Sequence, residues 1–274
     1  MSRLPEHVLA ARERLAEGQQ RVKGRHAEGT SGRGLCATAS DLRDEVVLDL
    51  YTAALDQLGL ADSETLRGQI ALVPHGGYGR RDVAPFSDVD LMVLYGPRAQ
   101  EEVARLAERL FRDIVDAGLV LGHSVRTPEE AWQLAIEDAE ICTSLIESRF
   151  LFGSVSLFCR FIRRFHDLVG RQGTRLMASI SKARLEERIK FGQTVYLLEP
   201  NVKRSQGGLR DVQLLRWIGM VRYGTPEPDE LCDRGVLSED DCQAIERAGE
   251  FLLWLRNELH LHAGRPADVL DRWE

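Results

Sequence analysis

The sequence predicts an α+β fold, with a small mixed β-sheet flanked by helices and then an all-α unit. Three short apolar runs, each bounded by glycine or turn residues, fall before Pro128. After about Glu129 every periodic stretch has helical spacing. The 274 residues suffice for one large domain or two ordinary ones with a real core.

The elements follow in order. Residues from Glu6 to Arg25 read as a polar helix, and "GRHAEGTSGRG" (Gly24–Gly34) as a loose linker with almost nothing to bury. Residues 1–37 are therefore expected to be an N-terminal helix and flexible linker. Ser40 is the expected N-cap of the next helix. Leu42, Val46, Leu50, Ala53, Ala54 and Leu58 share its apolar face, and Gly59 ends it. "IALVPHG" (Ile70–Gly76) and "DVDLMVLY" (Asp88–Tyr95) read as strands. A tight connection with Gly79, Arg80 and Arg81 lies between them. An amphipathic helix over 98–118 leads to a third strand, "LVLGHSVRT", and Pro128 opens the helix after it. No strand is expected beyond Glu129. The α+β unit is placed at 38–152 and the helical bundle at 153–274.

Composition is that of an ordinary globular chain, 43% hydrophobic and 29% charged. Lys plus Arg total 36 against 43 Asp plus Glu, a formal net charge of -7. That argues against a chain that coats nucleic acid, but a local basic cluster can still hold a small phosphate ligand. The five cysteines contain no C-x-x-C pair, so they read as free thiols in a reducing compartment with no zinc site. The N-terminus lacks an apolar signal core and no stretch approaches a membrane span. Together these predict a cytoplasmic protein without a membrane partner.

The chemistry concentrates in "PHGGYGRRDVAPFSDVDLMVLYG" (Pro74–Gly96). It contains neither a P-loop nor a complete G-x-G-x-x-G. Gly76 and Gly77, without Cβ atoms, let backbone N–H groups approach a phosphate chain. Asp88 and Asp90 stand two apart on a strand, so their side chains share a face. Two adjacent hard oxygen donors suit Mg²⁺, which prefers few carboxylates plus substrate phosphates. Without a cation they repel each other. The structural alternative makes Asp88 a turn or cap residue and Asp90 an edge charge.

A glycine pair, a short spacer and D-x-D on a strand resemble the nucleotidyltransferase superfamily of DNA polymerase β. More segments narrow the likeness: "ALVPHGGYGRRDVAPFSDVDLMVL", "GHSVRTPEEA", "LIESRFLFG", "YLLEPNVKRSQGGLRDVQLLRWI" and "RNELHLHAGR". In this order they resemble the [protein-PII] uridylyltransferases over about Gly29 to Gly264. The resemblance implies a nucleotidyltransferase domain at 38–152 with a two-metal Mg²⁺ site on Asp88 and Asp90. It implies triphosphate binding at Gly76 and Gly77, with Ser87 as a nearby phosphate contact. Arg80 meets phosphate or is a solvated turn charge. Lys203 reaches phosphate from the second unit or sits in a plain helix-connecting loop, while Arg210 and Asp211 read as helix-start charges. The superfamily's third carboxylate is missing from "LVLGHSVRT". His123 or Ser124 stands in the corresponding region, His123 as base, hydrogen-bonding group or packing residue, and Glu147 is either an assistant or a solvated helix charge.

The implied reaction moves UMP from UTP to a tyrosine hydroxyl of a PII-like protein acceptor. The alternatives are a protein adenylyltransferase, of the kind that modifies glutamine synthetase, and an inactive nucleotide-binding module. Family members usually continue into HD-type phosphohydrolase and ACT domains. The likeness here does not extend to them, so the chain reads as a fragment of a longer protein or a short homologue.

Overall fold

The computed structural model describes residues 4–192, 194 and 196–271. In chain order the first unit contains α1 (Glu6–Ala27), α2 (Gly32–Leu58), β1 (Ile70–Pro74), α3 (Gly76–Arg80), β2 (Val89–Tyr95), α4 (Gln100–Asp116), β3 (Leu121–Arg126), α5 (Pro128–Glu137), α6 (Ala139–Ile146) and β4 (Phe152–Gly153). Then come α7 (Val155–Arg171), α8 (Gly173–Phe191), α9 (Leu209–Tyr223), α10 (Pro228–Asp233) and α11 (Glu239–Ala263).

The four strands form one mixed sheet in the order β3-β2-β1-β4. β2 runs antiparallel to β1 and parallel to β3, and β4 is antiparallel to β1. The α+β expectation therefore holds. Strand alternation gives the sheet a core on each face. Ile70 and Leu72 with Leu91, Val93 and Tyr95 face α1, α2 and α4. Ala71 and Val73 with Met92 and Leu94 face α5–α9. Asp90 has the parity of Met92 and Leu94, so it points to the side on which the C-terminal helices pack.

Several sequence expectations need correction. Only 28–31 separate α1 from α2, so the 24–34 linker is mostly helix, anchored by Val22, Leu35 and Cys36 in the core. Ser31 caps α2 by accepting from the Gly34 N–H. Ser40 is interior, and its hydroxyl bonds the Cys36 carbonyl one turn back. The helix opened by Pro128 ends at Asp138, which leaves helical geometry to cap α6 through the Glu140 and Ile141 N–H groups. β4 escapes a pattern search because it pairs only Gly153 with Ala71 and Phe152 with Leu72. Cys232 and Cys242 are disulfide-bonded, brought together by the turn between α10 and α11, whereas Cys36, Cys142 and Cys159 are free. Among the described residues no helix is long and apolar enough to cross a membrane.

Candidate active site

The Gly76–Arg80 segment folds as a single helical turn directly after β1. Gly76 enters it at φ 55°, where glycine carries no Cβ cost. A Cβ there would stand 3.0 Å from Asp90 Oδ2 and 3.1 Å from Ser144 Oγ. Gly79 is hemmed in more tightly, since a Cβ would overlap the Glu147 carbonyl. Between them Tyr78 is fully buried and donates to Asp44 at 2.6 Å. Arg149 holds the same carboxylate with two 2.9 Å bonds. The turn is thereby bolted to α2.

The loop that delivers Asp88 is fixed by Arg43 of α2. This guanidinium is 3% exposed and donates to the Ala84, Pro85 and Ser87 carbonyls. Burial draws its pKa down to about 10, so it remains a cation at neutral pH. Phe86 N–H donates to His260 Nδ1, and His260 Nε2 then donates to Asp268. These partners select the neutral Nε2–H tautomer. Arg256 bonds Asp268 at 2.6 Å and reaches the Asp82 carbonyl at 3.5 Å. The α11 motif "RNELHLHAGR" thus ties the last described residues to the D-x-D loop.

These supports surround a cavity of about 250 Å³. Gly76, Gly77, Arg80, Ser87, Asp88 and Asp90 line it from the first unit, and Lys203, Arg204, Arg210 and Arg256 from the second. Asp88 precedes β2 and is exposed, while Asp90 is half-buried. Burial first, then the Asp88 charge, raise the Asp90 pKa to about 6, with Lys203 and Arg80 pulling it down. Lys203 is drawn down to about 8, first by burial and then by Arg256. A carboxylate pair that strains against its own charge, facing a strained lysine, suits a cation–polyphosphate ligand. Among the described residues no three His, Cys, Asp or Glu side chains cluster to hold a metal. Two carboxylates with phosphate oxygens completing the shell fit Mg²⁺ chemistry.

Arg80 is no solvated turn charge. Its side chain is 7% exposed, bonds Asp82 at 2.7 Å and lies 3.7 Å from Glu147. Glu147 is also buried, accepting from Arg216 at 3.1 Å and from the Trp217 indole at 3.1 Å, so it braces the site from beneath. His123 does not join. It pairs in register with Leu91, on the sheet face opposite Asp90, and packs on Phe111 of α4 at 4.4 Å between ring centroids. Its expected catalytic role is withdrawn on that parity. The residue beside Asp90 in β3 is Gly122, whose missing Cβ leaves room for the Asp90 carboxylate.

Sequence reasoning missed the arginines. Arg184 of α8, its side chain 3% exposed, donates to Asp211 and to the Arg204 and Ser205 carbonyls, which shapes the loop carrying Lys203. Its signal was an arginine at a core position, four residues beyond Ile180. Arg210 lines the cavity, contrary to its reading as a helix-start charge. Asp211 instead accepts from Arg184, Arg188 and the Gly207 N–H.

Comparison with known proteins gives consistent matches. A family model described as GlnD PII-uridylyltransferase matches residues 175–273. Over 94% of this chain and 27% of the relative, the sequence is 34% identical to a bifunctional uridylyltransferase/uridylyl-removing enzyme of Bradyrhizobium sp. (strain ORS 278). The enzyme of that description from Azospirillum brasilense is 32% identical over 96% of this chain and 28% of its own length. The one from Burkholderia vietnamiensis is 40% identical over 75% of this chain and 24% of its own. The chain thus spans about a quarter of the length of these relatives.

Proposed function

The chain belongs to the PII-uridylyltransferase family, and from that premise we propose that it transfers UMP from UTP to a tyrosine hydroxyl of a PII-like protein, releasing pyrophosphate. The observation that carries this reading is the cavity in which Asp88, Asp90, Gly76, Gly77 and Ser87 meet Lys203 from the second unit. In the reaction the tyrosine oxygen forms a bond to the α-phosphorus. The bond from that phosphorus to the bridging oxygen breaks, pyrophosphate departs with the electron pair, and the phenolic proton passes to solvent.

Asp88 and Asp90 would hold Mg²⁺, which when bound neutralises phosphate charge and lowers the pKa of the attacking hydroxyl. The chain's other groups bind and orient. N–H groups in the first turn of α3 precede any intrahelical partner and can face phosphate oxygens. Lys203 is a compact point charge, and polyphosphate opposite it favours its protonated form. Arg80 is held rigidly by Asp82 and Glu147 and adds fixed positive charge without reorganising.

The test is intact-mass spectrometry of a PII protein incubated with this chain, Mg²⁺ and UTP, with ATP in a parallel tube. A gain of one UMP per subunit is expected. Asp88→Asn with Asp90→Asn should slow it ~100-fold or more, the scale of removing an electrostatic stabiliser of a transition state. Undiminished transfer by the double variant refutes the proposed site, and a gain of AMP instead makes the chain an adenylyltransferase.

A further inference from the structure

The cavity that gathers the two aspartates is too small and too charged to hold a whole nucleotide. Its 250 Å³ falls below the roughly 300–1,000 Å³ of ordinary small-ligand sites. Charged groups dominate its rim, and Tyr78, one of its aromatic rings, is fully buried. A triphosphate and its cation fit that chemistry, whereas a nucleobase needs an apolar, flat surface.

A second cavity, of about 350 Å³, opens beside it. The two share Glu140, Thr143, Arg204, Arg210 and Trp217, so these residues form the mouth between them. Beyond the mouth apolar walls appear among the charged side chains of Arg184, Glu186, Glu187 and Lys190. Ala139 of α6, Ile180 and Ala183 of α8, and Phe191 at the end of α8 supply apolar walls. Phe191 is half-buried, with the Arg204 guanidinium 4.9 Å and the Lys190 ammonium 5.5 Å from its ring centroid, cations that an incoming base would displace or stack beside. Arg210 similarly lies 5.4 Å from the Trp217 ring. Two cation–aromatic pairs thus flank a passage from a charged chamber to one with an apolar wall.

Resting on the function proposed above, we infer that this second cavity is the nucleobase compartment and that Phe191 supplies its stacking surface. Phosphates lie at Asp88, Asp90 and Lys203, the ribose crosses the mouth, and the base enters between α6 and α8. Arg204 and Arg210 stand where the α-phosphate and ribose pass. Both are now held toward Glu187, at 3.6 and 3.4 Å. The compartment is built from both units.

The test is calorimetric binding of Mg–UTP and of Mg–tripolyphosphate, which has the phosphates without base or ribose, to the whole chain. Phe191→Ala should weaken Mg–UTP roughly 10-fold, the scale of losing one base–aromatic stack, and leave Mg–tripolyphosphate unchanged. Phe191→Trp should restore UTP affinity, which separates lost stacking from lost folding. Equal weakening of both ligands, or of neither, overturns the compartment. If Mg–tripolyphosphate fails to bind the unaltered chain while UTP binds and Phe191→Ala weakens it, the compartment stands and the phosphate site proposed above falls. If ATP takes the place of UTP and Phe191→Ala weakens it equally, the compartment again stands and the donor changes.

Discussion

At the scale of single residues the site depends as much on missing atoms as on charges. Asp90 has room for its carboxylate because Gly122 faces it across the parallel pair and Gly76 faces it from the helical turn. Gly122→Ala places a Cβ over Asp90 Oδ1. The carboxylate is a movable side-chain end, so it swings aside and the fold survives. Mg–nucleotide affinity should then fall by ~10-fold or more, while the thermal midpoint shifts by no more than about 4 °C. Calorimetric titration beside a melt checks both, and unchanged affinity would mean that Asp90 does not act from this position. The glycine pair and the D-x-D were legible in the sequence because their types are unusual inside apolar runs. Gly122 was not. A glycine in a strand shows its purpose only when the register brings an aspartate beside it. His123 misled for a related reason, because sequence order put it near the site while a one-residue difference in parity turned it to the other face.

At the scale of elements the deciding pieces are loops held by buried arginines. Arg43 fixes the segment before Asp88 through three carbonyls, and Arg184 fixes the segment carrying Lys203 through two carbonyls and Asp211. A guanidinium suits this work because its planar donors serve several acceptors in fixed directions. Arg184→Lys keeps the charge but loses that fork. It should cost about 2–4 kcal/mol in urea unfolding, since carbonyls and a carboxylate are left partly unpaired. It should also raise KM for the nucleotide more than it lowers kcat, because Lys203 loses its seat. A variant as stable as the parent would show that the loop holds itself. The first three strands were readable from periodicity, and the end of α2 at Gly59 and the start of α5 at Pro128 from their end residues. The arginines were not, because an arginine in a helical pattern reads as a solvated face until the packing partner is known. The α1–α2 stretch failed similarly, since its glycines and serines are helix-compatible once Leu35 and Cys36 are buried against neighbouring helices.

At the scale of the whole molecule the two units share one electrostatic problem. The sheet unit holds Asp88 and Asp90, and the helical unit brings Lys203 and Arg256 toward them, yet burial still leaves Asp90 with a pKa near 6. The folded protein therefore binds this proton more tightly than the unfolded chain, whose carboxyl titrates near 3.8. Between about pH 4 and 6 the linkage runs against folding as pH rises, and by pH 7 the full penalty is present. Three histidines act in the opposite sense. Burial lowers His75 to about 4, and it also lowers His166 against the pull of Asp167 and His260 against that of Asp268. Their contribution to stability is complete above about pH 6.5 and is lost as pH falls toward their folded values. In chelator-containing buffer Asp90→Asn should therefore be more stable than the parent at pH 7, and this advantage should shrink at pH 5. Its own stability should fall more steeply over that interval, because only the histidine effect remains. Urea midpoints at the two pH values decide the matter, and an Asn variant less stable than the parent at pH 7 would contradict it. Adding Mg²⁺ with nucleotide should reverse the order at pH 7, since a bound cation compensates only the ionised carboxylate.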